Sequence, residues 1–138
     1  MTYLLDTSAV LAHVRGEPGA ERVQRLFVEK DVSLLLCSVS LAELARRLRA
    51  LGATPDEAWD RAVAYGQLVD EVVSVDEEVA RESDRLSRRA TARLPLVDAL
   101  IAATAHTRKA VLVHRDTHIR LIPADLLAQL DLAAAPVP

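Results

Sequence analysis

Short β-prone apolar runs alternate with helix-patterned segments along all 138 residues of this chain, and that alternation restricts the fold more than any other feature. TYLLD (2–6) reads as a strand and SAVLAHV (8–14) as the helix after it, capped by Thr7 or Ser8. After Gly16, Ala20, Val23, Leu26 and Phe27 recur at helical spacing. VSLLLC (32–37) is a continuous apolar run of the kind buried on both faces of a parallel sheet. SLAELARRLRALG forms a helix closed by Gly52, and Thr54, Pro55 and Glu57 open another with a capping box, running to about Asp70. EVVSV (71–75) is then a short strand, Asp76 to about Arg93 a charged helix, and Pro95 a break. LVDALIAATAHTRKA (96–110) is a helix apolar almost all round, which places it in the core. VLVHR (111–115) reads as the last parallel strand and PADLLAQL (123–130) as a closing helix. The pattern predicts an α/β fold, with a central, mostly parallel sheet of four to five strands flanked by helices.

Composition sets the class of molecule. With 51% hydrophobic residues the chain can bury one sizeable core, so a single domain is expected over residues 1–132, followed by an Ala/Pro-rich tail (133–138) expected to fray. No stretch approaches the roughly 20 apolar residues of a membrane span, and the N-terminus lacks a signal peptide's basic segment and apolar region. A cytoplasmic location is the expectation. The one cysteine, Cys37, excludes an intramolecular disulfide and any cysteine-rich zinc site. A net charge of −3 argues against a general nucleic-acid coat and confines any such binding to a local patch.

Four acids stand where such a sheet would gather ligands. Asp6 ends the first strand run and Asp116 follows VLVHR, both at carboxyl ends, where open parallel sheets bind their ligands. Glu43 falls in the first turn of the helix after the Cys37 strand, and Asp98 near the start of the apolar helix after Pro95. Carboxylates crowded into a low-dielectric edge repel one another, and they either take up protons or hold a cation. Each also has a local reading: Asp6 as a strand-ending Asx-turn, Asp116 as a turn residue, Asp98 as a helix N-terminal acid, and Glu43 as the partner of Ser40 in a capping box, S-x-x-E.

LLDTSAVLAHVRGEPGAERV, SVSLAELARRL, LPLVDALIAATA and LVHRDTHIRLIP resemble, in order and spacing, the PIN-domain ribonucleases, and within them the VapC toxins of bacterial toxin–antitoxin pairs. The resemblance covers nearly the whole chain and departs from it at Ile119, where many relatives carry an aromatic. It implies a three-layer PIN-like fold, with Asp6, Glu43, Asp98 and Asp116 as the acidic, catalytic metal site and Thr7 and Ser8 lining it. It also implies RNA as substrate, cut endonucleolytically, a homodimer, and a cognate VapB-like antitoxin that holds the enzyme inactive. Oxygen ligands suit Mg²⁺ or Mn²⁺, whose bound water attacks phosphorus in an in-line displacement.

An acidic pocket repels a polyanion, so basic residues must flank it. Arg46, Arg47 and Arg49, Arg93, Arg115, His118 and Arg120 are the candidates, against the alternative of a solvated surface. His114 and His118 do not read as a zinc pair, because the segment leaves a strand and lacks further Cys or His partners. His13, His106, Trp59 and Tyr65 read as packing, surface or partner contacts. Apolar positions along Pro18–Lys30 and Ser40–Ala64 would suit an amphipathic partner segment. Two other readings remain: a receiver-like Mg²⁺-binding signalling domain, which would want paired acids after the first strand, and a PIN-fold RNA-processing nuclease outside any toxin–antitoxin pair.

Overall fold

The structure, a computed structural model, describes residues 1–134. The elements are β1 (Thr2–Leu5), α1 (Thr7–Arg15), α2 (Ala20–Val28), β2 (Ser33–Cys37), α3 (Ser38–Ala50), α4 (Pro55–Leu68), β3 (Glu71–Val73), α5 (Glu77–Arg89), α6 (Leu96–Thr107), β4 (Val111–His114), α7 (Thr117–Arg120) and β5 (Gln129–Asp131). The sheet runs in the order β3-β2-β1-β4-β5, and every pairing is parallel. The chain steps outward from β1 to β2 and β3, then returns to the other side of β1 with β4. The strand order therefore reverses between β1 and β4, and a parallel sheet opens a crevice at the carboxyl ends of such a pair.

Side chains alternate across each strand, so the sheet is buried on both faces. Leu4, Leu35, Cys37 and Leu112 face one layer with α5 and α6, while Leu5, Leu34, Leu36 and Val113 face the other with α1, α3 and α4. That double burial is why β2 reads as an unbroken apolar run. In α6, Ala99, Ala102, Ala103 and Ala105 are almost fully buried, small side chains that let the helix press close against its neighbours.

Several local expectations change. α1 is capped by Asp6, not by Thr7 or Ser8. α3 begins at Ser38, directly after β2, with Cys37 as its N-cap and no side-chain cap bond. Ser40 is thus already helical, and its hydroxyl accepts from Thr7 Oγ1 at 3.1 Å instead of capping. The expected Ser40–Glu43 box does not form, whereas the Thr54–Glu57 box does. Strand β3 and helix α5 both end earlier than their patterns suggest.

The largest change lies near the C-terminus, where residues 123–130 were expected to form a helix. Leu126 and Leu127 donate back to Pro123 in one turn, and the chain then extends as β5 along β4. Pairing satisfies the backbone groups of β4's outer edge, which a helix could not do. β4 is consequently not the last strand, and the short helix comes earlier, as α7. Ala133 and Ala134 donate back to Asp131 in a turn, while residues 135–138 of the tail lie outside the described residues.

Candidate metal centre and nucleic-acid cleft

Asp6 is the first residue past β1, and its backbone N–H donates to Val113 O at 2.9 Å, tying the end of β1 to β4. The residue is only 2% exposed. Oδ2 accepts from Ser8 N–H at 3.0 Å and from the Ser8 hydroxyl at 2.5 Å. Oδ1 is buried and, among the described residues, has no hydrogen-bond partner. The cap and the candidate ligand are therefore the same side chain: one oxygen holds α1 and fixes the rotamer, and the other is left facing its neighbours. Asp116 repeats this device, with Oδ1 accepting from the His118 and Ile119 N–H groups at 2.8 and 3.1 Å.

Glu43 projects from α3 and Asp98 from the first turn of α6, both half-buried. Together the four acids line one cleft of about 250 Å³ at the switch point between β1 and β4. Their electrostatics show crowding. Burial raises the Asp6 carboxyl to about 7 against the opposing Ser8 hydrogen bonds, with the Asp98 and Glu43 charges adding to the rise. Burial likewise raises Asp98 to about 6, helped by Asp116 and Glu43 and opposed by His118. A buried carboxylate oxygen without a donor, among acids pushed upward by one another, fits a bound cation: its charge would replace the missing hydrogen bond and relieve the repulsion.

The expected substrate-facing residues divide. Thr7 and Ser8 line the cleft, as do Arg47 and Arg115. Ser8 Oγ also accepts from Arg115 N–H at 2.9 Å, so the Asp6 cap and the arginine are linked through one hydroxyl. Arg46 is exposed and lines a separate hollow on α3 with Val39, Ala42 and Val97. Arg93 is exposed, outside the cleft lining, and Arg120 pairs with Asp131. Three lining residues escaped the sequence reading, the apolar Leu11 and the charged Arg15 and Glu17. Ser8, Leu11 and Arg15 share one face of α1 below the Asp6 cap, a periodicity that could have found Arg15. Glu17 gives no such signal: it sits in the loop after Gly16 and pairs with Arg115 at 3.1 Å.

The two histidines separate as well. His114 is fully buried, and Gln129 fixes its tautomer, because the Gln129 amide N–H donates to Ile122 O and leaves Oε1 to accept from His114 Nε2 at 2.7 Å. Its Nδ1 then accepts from Asp116 N–H at 3.1 Å. Burial lowers its imidazole below the usual range, and both ring nitrogens are committed to positioning the Asp116 turn. The ring of His118, expected to face the substrate, is outside the cleft lining and lies instead with Asp98 and Asp116.

The PIN domain family matches residues 3–124. Comparison with curated protein sequences finds no match. Among solved structures, VapBC2 from Rickettsia felis, bound to a promoter DNA fragment, is similar at a TM-score of 0.72 and 19% identity, covering 95% of this chain and 98% of that one. FitAcB from Neisseria gonorrhoeae is similar at 0.71 and 22% identity, covering 96% and 98%. Mycobacterium tuberculosis VapC20, described as a Sarcin-Ricin loop cleaving toxin, is similar at 0.67 and 18% identity, covering 87% and 93%. With a family match over most of its length and the strand order that places four acids at one crevice, this chain belongs to the PIN-domain family.

Proposed function

We propose that this protein is a divalent-metal-dependent endoribonuclease, the toxin of a toxin–antitoxin pair, acting in the cytoplasm. The observation that carries the reading is the buried, unpartnered Oδ1 of Asp6 beside Glu43, Asp98 and Asp116. These four side chains would hold Mg²⁺ or Mn²⁺, which supplies an activated water and neutralises charge on the phosphate. The chain's own part is positional. Ser8 and the Asp6 cap hold one carboxylate oxygen and leave the other unengaged at the cleft lining, and His114 with Gln129 fixes the Asp116 turn. Arg15, Arg47 and Arg115 line the same cleft and offer guanidinium forks to an RNA backbone. The similarity to solved VapBC and toxin–antitoxin complexes supports a VapB-like partner, and a homodimer is proposed with it.

The test is cleavage of single-stranded and structured RNA with added Mg²⁺ or Mn²⁺. We expect EDTA, Asp6→Asn and Asp98→Asn each to abolish it. Full cleavage by either variant would overturn the reading. The signalling alternative wants a second acid directly after Asp6, where Thr7 and Ser8 stand.

A further inference from the structure

A ring nitrogen sits among the acids. His118 Nδ1 lies 3.6 Å from Asp98 Oδ2 and 3.5 Å from Asp116 Oδ1. One ligating atom from each of Asp98, Asp116 and His118 falls within 4.8 Å of the other two. Around an octahedral ion with bonds of about 2.1 Å, neighbouring ligands stand about 3.0 Å apart and opposite ones about 4.2 Å. The two His118 separations fall inside that range, close enough for one ion to draw all three together. The independent sign of a ligand is again Asp6, 2% exposed, which lines the same cleft as Asp98 and Asp116 and whose buried Oδ1 has no partner among the described residues.

Other roles account poorly for His118. Its side chain is 51% exposed, so an ion pair with the acids would add little to stability. Among the described residues its ring nitrogens make no hydrogen bond, in contrast to His114, whose nitrogens are both engaged. Backbone geometry also ties the ring to the site. Asp116 caps α7 by accepting the backbone N–H of His118, so carboxylate and imidazole leave the same turn in fixed relation.

We infer that His118 is a direct nitrogen ligand to the divalent cation and biases the centre toward first-row transition ions over Mg²⁺. This rests on the metal-dependent reading above. A neutral imidazole strengthens binding of ions along the series from Mn²⁺ to Ni²⁺, whereas Mg²⁺ gains little from exchanging a water for nitrogen. An all-carboxylate site would lack this discrimination.

The test uses the full chain without RNA, titrated calorimetrically with Mn²⁺ and separately with Mg²⁺, and the Mn²⁺ form is examined by pulsed EPR for coupling to ¹⁴N. In the unaltered protein we expect a ¹⁴N coupling and Mn²⁺ affinity at least tenfold above that for Mg²⁺. His118→Gln, a change at an exposed position, should remove the coupling and weaken Mn²⁺ roughly tenfold while moving Mg²⁺ less than twofold. Mn²⁺ bound without ¹⁴N coupling, or a coupling that survives in His118→Gln, overturns His118 ligation and leaves the metal-dependent reading standing. Failure of the unaltered protein to bind either ion removes both.

Discussion

At the scale of single residues, the site stores its chemistry in carboxylates that fold at an electrostatic cost. Asp6 titrates near 3.8 when unfolded and near 7 in the fold, so the folded state holds the extra proton. The associated stability is fully present below about pH 3.8 and is lost as pH rises through about 7. At higher pH the metal-free protein then carries a penalty on the order of 4 kcal/mol, which Asp6→Asn removes while its amide oxygen still accepts from Ser8. Thermal unfolding in EDTA should therefore show the variant matching the unaltered protein near pH 4 and exceeding it by roughly ten degrees at pH 8. A variant less stable at both pH values would mean that the charged cap itself holds the fold. The same sign governs metal binding, since protons compete for the site. Mn²⁺ affinity should rise steadily from pH 5.5 to pH 8, and a flat calorimetric profile would contradict the shift.

Elements place these residues, and two junctions illustrate how. Because α3 starts at Ser38, Glu43 has no capping duty and carries its charge for the cleft alone. Glu43→Gln should leave the denaturation midpoint unchanged or slightly raised, by relieving its repulsion of Asp6 and Asp98, yet abolish most RNA cleavage. Ser40→Ala should cost about 1 kcal/mol through the lost Thr7 hydrogen bond. Equal destabilisation by both variants would restore the capping box. At the second junction, Gly16 ends α1 with φ +63°, and Gly19 has φ +101°, where an added Cβ would come within 2.8 Å of Leu132. These constraints hold Glu17 against Arg115, neutralising an arginine that a phosphate could use. Glu17→Gln should tighten single-stranded RNA binding in EDTA about two- to fivefold, consistent with the small worth of a half-exposed pair. The gain should vanish in an Arg115→Ala background; if it persists there, Glu17 acts by general repulsion instead.

The whole molecule carries a net charge of −3, so RNA must be drawn to the cleft by its arginines rather than by the surface at large. If Arg15, Arg47 and Arg115 each contact a phosphate, the logarithm of RNA affinity against the logarithm of salt should slope at about −2, and Arg47→Ala should flatten it by about 0.7. An unchanged slope would place Arg47 in the solvated surface. Much of this molecule was legible in the chain itself. Periodicity separates strands from helices because burial on two faces demands unbroken apolar runs such as LLLC, and one-sided burial demands helical stripes. Strand–helix alternation implies the parallel sheet, and the positions of Asp6 and Asp116 follow from where that sheet's strands end, whereas Glu43 and Asp98 lie on helices α3 and α6 and were joined with them into one site through the family resemblance. Only tertiary contact decided the rest. PADLLAQL has a helical pattern, yet the open edge of β4 offers hydrogen bonds that β5 satisfies, and no local propensity encodes a neighbour's unpaired edge. Ser40 fits a capping box, yet the β2 ladder runs straight into α3 and leaves no turn for a cap. Glu17 and His118 meet their partners across 98 and 20 residues of chain, respectively, and such pairings exist only after the sheet has closed.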